Sequence, residues 1–168
     1  MNKEAEFNTK DIIEVNQKTI EHLIKCAVES PRKRYRLCLH HSPDLLVNEM
    51  VIVGNRDTYI HPHRHPKGKD ESYYVIQGEM TVFIFDDSGK VVQRIEMGEH
   101  DSGKTFLYRL SSNLWHLPIP LTEWVVYHEV FTGPFQKERD VEYASWAPSE
   151  TDPVAVVEYM KKLLKTRP

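Results

Sequence analysis

This sequence has little net charge, few cysteines and no long apolar run, and each shortage excludes a class of protein. Its 22 Lys and Arg against 25 Asp and Glu leave a formal charge of −3, which offers no electrostatic pull towards nucleic acid or an anionic membrane. The basic run Arg32-Lys33-Arg34-Tyr35-Arg36 is too short to carry nucleic-acid binding by itself. The two cysteines, Cys26 and Cys38, form no CxxC pair and read as reduced thiols rather than a disulfide frame. No stretch approaches the roughly 18 consecutive apolar residues of a membrane span. Residues 1–30 lack the apolar core of a secretory signal and carry Lys3, Glu4, Glu6, Lys10, Asp11 and Glu14 instead. A cytoplasmic location is therefore expected, with no membrane and no nucleic acid among the partners. Neither an internal repeat nor a low-complexity tract is present.

What remains is ordinary globular material, 40% hydrophobic and 28% charged over 168 residues, enough for one domain with a core. Three parts are expected within it: an N-terminal segment with a helix (1–34), a barrel (35–135), and an irregular tail with a C-terminal helix (136–168). Residues 1–10 are polar and read as frayed, and 11–15 as a short strand. Asn16 suits the N-cap of a helix over 17–29, in which Ile20, Leu23, Ile24 and Ala27 form one apolar stripe. Asp152 and Pro153 have the chemistry of the cap and first position of a final helix. Its apolar face is Val156, Val157, Met160, Leu163 and Leu164, and Lys161, Lys162 and Lys165 sit favourably at its C-terminal end. Between the helices the texture is short strand-like runs: 35–40, 47–53, 57–63, 72–77, 80–86, 91–97, 105–110 and 124–131. The segment Asp86-Asp87-Ser88-Gly89-Lys90 is a hairpin turn between two of them. Eight short strands with regular turns indicate a mainly β sandwich or barrel.

The chemistry concentrates between Tyr59 and Gly78. His61, His63 and His65 alternate, so an extended segment would put all three imidazoles on one face. Glu71 opens the next strand-like run, and Gly78 closes it at a position suited to a tight hairpin turn. Two neighbouring strands would then present imidazole nitrogens and a carboxylate oxygen to one point, which is donor chemistry for a single divalent transition metal such as Fe, Mn, Ni or Zn. His116, ahead of the run 124–131, is a further candidate ligand. From spacing alone the chelating pair is either His61 with His63 or His63 with His65.

The order His-x-His, Glu71, Gly78 and a distant His116 resembles the cupin signature, and this implies a jelly-roll barrel, a double-stranded β-helix, between the two helices. The second cupin motif is reduced here to Ser111-Ser112-Asn113-Leu114-Trp115-His116, with Asn113 in place of a glycine; Asn enters the left-handed region more readily than most residues. A closer resemblance rests on Arg34, Leu39-His40, Tyr59-Ile60, Pro62-His63-Arg64-His65-Pro66, Glu71, Phe85-Asp86, Gly89, His116, Glu129, Gly133-Pro134-Phe135, Ala144 and Trp146-Ala147-Pro148. Together these resemble the WbuC-like cupin metalloproteins over about residues 15–150. The resemblance implies His63, His65, Glu71 and His116 as metal ligands and leaves His61 lining the pocket or its rim. It also implies a setting in bacterial O-antigen or other surface-polysaccharide synthesis, without a settled reaction.

Three imidazoles and one carboxylate leave an octahedral metal with open positions, as a catalytic site requires. Other candidates for the pocket or substrate are His40, Arg34, Tyr59, Tyr73, Arg109 and Glu129, with Arg36 and Arg64 as further anion-binding groups. Trp146 is expected to pack the tail against the barrel. The functions that follow are a metal-dependent isomerase or epimerase of a small polar, sugar-related substrate, an iron-dependent oxygenase, or a non-catalytic module that binds such a ligand; a homodimer is also expected. The fold cannot choose among them.

Overall fold

The computed structural model describes residues 4–111 and 113–166. Met1–Lys3, Ser112 and residues 167–168 lie outside it, and with them part of the expected frayed end and of the second motif. In chain order the strands are β1 Ala5–Phe7, β2 Arg34–Cys38, β3 Val47–Asn55, β4 His63–Arg64, β5 Glu71–Gln77, β6 Glu79–Phe85, β7 Val91–Gly98, β8 Leu107–Leu110, β9 Trp115–Pro120, β10 Trp124–Thr132 and β11 Glu142–Tyr143. The helices are α1 Gln17–Glu29, α2 Lys137–Asp140 and α3 Pro153–Lys165. Among the described residues the strands make two facing sheets, one in the order β1-β2-β3-β10-β5-β8 and one in the order β11-β4-β9-β6-β7. Every pairing is antiparallel except β1 with β2.

Alternation along the strands gives each sheet two buried faces. Between the sheets lie Ile52, Tyr73, Val75, Met80, Val82, Ile84 and Tyr127. Their neighbours of opposite parity face outward and are covered by helices. Tyr35, Leu37, Val51 and Val53 pack under Ile20, Leu23 and Ala27 of α1, while Phe83, Phe85, Leu117 and Ile119 pack under Val156, Met160 and Leu163 of α3. This is why the strands read as apolar runs with weak alternation. Trp146 joins the second of these outer layers against Phe85 and Trp115, pinning the tail to the sheet.

Local chemistry sets the helix starts as expected. The Asn16 side chain accepts from the N–H groups of Lys18 and Thr19, and Thr19 Oγ1 accepts from Asn16 N. Asp152 accepts from Ala155 N, with Pro153 next to it. Val157 departs from expectation: it is 48% exposed, off the packed stripe of α3.

Four sequence expectations need correction. Residues 11–15 form no strand; the N-terminal strand is β1, pinned in parallel to β2. Of the run 57–63 only His63 is in a strand, the two-residue β4, because Asn55–Thr58 forms a turn and Pro62 and Pro66 supply no N–H on either side of it. Gly78 is no hairpin turn. With φ of +81° it joins β5 in one sheet to β6 in the other, and a Cβ there would lie 2.5 Å from Trp124 O. Finally, Trp115–Pro120 is a strand, although Pro118 and Pro120 argue against one. Its other edge pairs with β4 only at His116, so the prolines need no donor on that side.

Candidate metal centre

His63 and His116 stand directly opposite each other on β4 and β9, and His65, two residues on, shares their face. Their ring centroids lie 4.2 Å (His63–His116), 5.1 Å (His63–His65) and 5.4 Å (His65–His116) apart. One nitrogen from each falls within 4.8 Å of the others, so this triad could hold a metal ion. Glu71 comes from β5 in the facing sheet rather than from a neighbouring strand. Its Oε1 lies 3.1 Å from His116 Nε2 and its Oε2 3.5 Å from His65 Nε2. Tyr73 Oη and Tyr108 Oη each donate a hydrogen bond to this carboxylate, at 3.1 and 3.2 Å.

The imidazoles are oriented from behind by main-chain carbonyls. Nδ1 of His63 meets the carbonyl of His61, Nδ1 of His65 that of Asp140, and Nδ1 of His116 that of Leu114. A carbonyl only accepts, so each Nδ1 carries the hydrogen, which leaves Nε2 of the neutral ring as the nitrogen that can ligate. His116 Nε2 is fully buried and makes no hydrogen bond to any described group. An orphaned buried acceptor is costly, and a metal ion is the partner that this donor set fits.

The electrostatics favour the ligating form at two of the three rings. Burial, then the charges of His116 and His65, push His63 well below the usual histidine range, and burial likewise lowers His116. Both shifts favour the neutral ring, the form in which histidine ligates a metal. Burial would raise the Glu71 carboxyl, but His116, His65 and His63 outweigh it and bring it down to about 2. For His65, burial is outweighed by Glu71, and its pKa is raised.

The centre lies against a cavity of about 610 Å³, lined by His63 and His65 together with His61, His40, Arg34, Tyr73 and Glu129. His61 therefore faces the pocket but stays out of the triad, because its Nε2 bonds the carbonyl of Ala144. His40 Nδ1 lies within hydrogen-bond distance of both backbone groups of Glu49. The Glu129 side chain makes no hydrogen bond or ion pair with any described residue; burial, then Glu71, raise its carboxyl to about 7. Two candidates do not reach the cavity. Tyr59 belongs to the outer layer beneath α3 and donates to the carbonyl of Pro148. Arg109 points to solvent from β8 and pairs with Asp70. Arg64 is likewise on the outside, bonded to Glu142 and Asp87 above the Trp115 ring. The parts that sequence reasoning missed are Tyr108 as a partner of Glu71 and the carbonyls of Asp140 and Ala144. Nothing in the sequence signals the two carbonyls, since any residue supplies one, and which of the strand tyrosines reaches Glu71 depends on register.

A domain of unknown function, DUF6016, matches residues 15–97, a span that holds His63, His65 and Glu71 but not His116. No curated protein matches the sequence. Among solved structures, protein SO0799 of Shewanella oneidensis superposes with a TM-score of 0.57 at 13% identity, over 83% of this chain and 90% of that one. An oxalate oxidase in complex with glycolate gives 0.51 at 16% identity, over 82% and 68%. The L-ribose isomerase of Cellulomonas parahominis gives 0.51 at 16%, over 67% and 69%. At such identities the likeness is one of fold, and that fold is the cupin jelly roll.

Proposed function

We propose that this cupin is a metal-dependent enzyme that moves a proton on a small polar substrate, in an isomerisation or epimerisation. The observation that carries the reading is the convergence of one nitrogen each from His63, His65 and His116, with the Glu71 carboxylate beside His65 and His116 and no hydrogen-bond donor aimed at the buried His116 Nε2. His63, His65, His116 and Glu71 would hold one divalent ion of Fe, Mn, Ni or Zn. When bound, such an ion supplies Lewis-acid chemistry at a carbonyl or hydroxyl oxygen. Tyr73 and Tyr108 hold the Glu71 carboxylate in place. Glu129 is the acid–base group: it lines the same cavity, is free of partners among the described residues, and titrates at about 7, where it can both take and return a proton. The neighbouring folds include an isomerase and an oxidase, so architecture alone does not choose the chemistry. The resemblance to WbuC-like proteins favours a sugar-derived substrate.

Metal analysis of the purified chain tests the first half. About one equivalent of a divalent metal is expected in the wild type, and little in His116→Ala or His63→Ala. Failure of the wild type to take up any such metal on reconstitution would sink the reading. For the second half, the metal-loaded protein is incubated in D2O with aldoses, ketoses and sugar acids, and C–H exchange is followed by NMR. Exchange that is lost in Glu129→Gln supports catalysis. Binding without exchange of any probe would leave a ligand-binding module.

A further inference from the structure

The arginines among the described residues fall into two groups. Arg32, Arg64, Arg94, Arg109 and Arg139 each lie within ion-pairing distance of a carboxylate. Among the described residues Arg34, Arg36 and Arg56 do not, and of these Arg34 and Arg36 line the cavity against which the metal centre lies. Their positions follow from β2: separated by two residues, they project from the same face, opposite to buried Tyr35 and Leu37. The ladder to β3 on one side and β1 on the other fixes that strand. A half-buried guanidinium without a counter-charge is unfavourable, and burial, then Arg32, push Arg34 below the usual arginine value. Glu4, Glu129 and Glu150 line the same cavity, yet neither arginine comes within 4.0 Å of their carboxylates; Glu4 and Glu150 pair with Arg32 instead. The two charges are presented to the cavity.

Position along the sheet adds a length. β2, β3, β10 and β5 are successive neighbours, so the arginine strand stands three spacings, roughly 14 Å, from the strand of Glu71. A ligand that touches both ends is therefore extended, and the cavity of about 610 Å³ has room for one. Glu129 projects from β10, between the two ends.

We infer that Arg34 and Arg36 form an anion site at the end of the cavity remote from the metal centre, and that the substrate is an extended polyoxygenated molecule with a chelating group at one end and a carboxylate or phosphate at the other. The inference rests on the metal-centre reading above and deepens it. Guanidinium forks suit either anion.

Three six-carbon probes share a chelating 2-hydroxycarboxylate end and differ at the other: gluconate ends in an alcohol, glucarate in a carboxylate and 6-phosphogluconate in a phosphate. Their dissociation constants for the metal-loaded full chain are compared by calorimetry. One charged probe or both should bind roughly 10-fold or more tightly than gluconate, the scale of one or two charge-assisted hydrogen bonds. The tighter of the two identifies carboxylate or phosphate. In Arg34→Gln/Arg36→Gln the advantage should shrink to within about 2-fold, while gluconate affinity and metal content stay unchanged. Arg36→Gln alone changes an exposed side chain and should lose part of the advantage even if the double variant is unstable. Equal affinities in the wild type, or an advantage that survives the substitutions, would overturn the anion site. Metal-dependent gluconate binding with no gain from the terminal anion defeats the anion site alone, whereas a chain that takes up no metal defeats the metal centre and, with it, this inference.

Discussion

Glu129 and Gly78 show how single residues bear on stability here. A raised carboxyl means that the folded chain holds its proton at pH values where the unfolded chain has released it. Stability from this group is therefore full below the ordinary Glu range and is lost as pH rises towards and through about 7. Glu129→Gln should stabilise the metal-free protein at pH 8 by about 1 kcal/mol, roughly 2–4 °C in thermal midpoint, and have little effect at pH 4.5. Thermal melts at the two pH values check the sign; a variant equally or more stabilised at pH 4.5 would contradict it. Gly78→Ala should destabilise by about 2 kcal/mol or more, read by denaturant titration, because positive φ and the Trp124 carbonyl both oppose a Cβ. At this scale the sequence was informative where a residue type has one use. Asn113 adopts the left-handed backbone, φ +79°, expected of a glycine substitute. It was uninformative about tyrosines: Tyr59, Tyr73 and Tyr108 all sit on or beside strands and differ only in which face they reach, a question of register.

Among elements, the short tail piece formed by α2 and β11 is tied most directly to the candidate centre. Asp140 is fully buried and accepts from Gln136 N and from the Arg139 guanidinium, with Lys69 3.6 Å away. These bonds place the Asp140 carbonyl that holds His65 Nδ1. Asp140→Ala should cost about 1–3 kcal/mol of stability and weaken metal binding roughly 10-fold through the misplaced imidazole; competition titration against a metal chelator measures the latter. Unchanged affinity would show that the tail carbonyl does not orient His65. The same elements mark where sequence reading ran out. The two long helices, α1 and α3, and the long strands were legible because caps and periodicity act locally, whereas the single turn of α2 was not. β9 was hidden by its two prolines, and β11 is too short to carry a pattern. Which strands face each other across the sandwich depends on crossings, such as that at Gly78, which local spacing does not encode.

For the whole molecule, two sheets clamp the four candidate donors between them, so occupancy should tighten the sandwich. A divalent metal at 100 times its dissociation constant should add about 2.7 kcal/mol, a rise of roughly 5–10 °C in thermal midpoint, reversed by chelator and absent in His116→Ala. A metal-independent midpoint would argue against a centre that bridges the sheets.

His61 turns away from the triad to the carbonyl of Ala144, and this matters most before the fold exists. In the nascent or denatured chain nothing holds it back, and His61, His63 and His65 are a ready local chelator within five residues of one another. Metal then has a foothold on the unfolded state, which subtracts from the stabilisation that it gives the native one. Folding must exchange His61 for His116, a ligand more than fifty residues away, so metal present too early acts as a trap. The chain should refold faster without metal than with it, and His61→Ala should remove the difference.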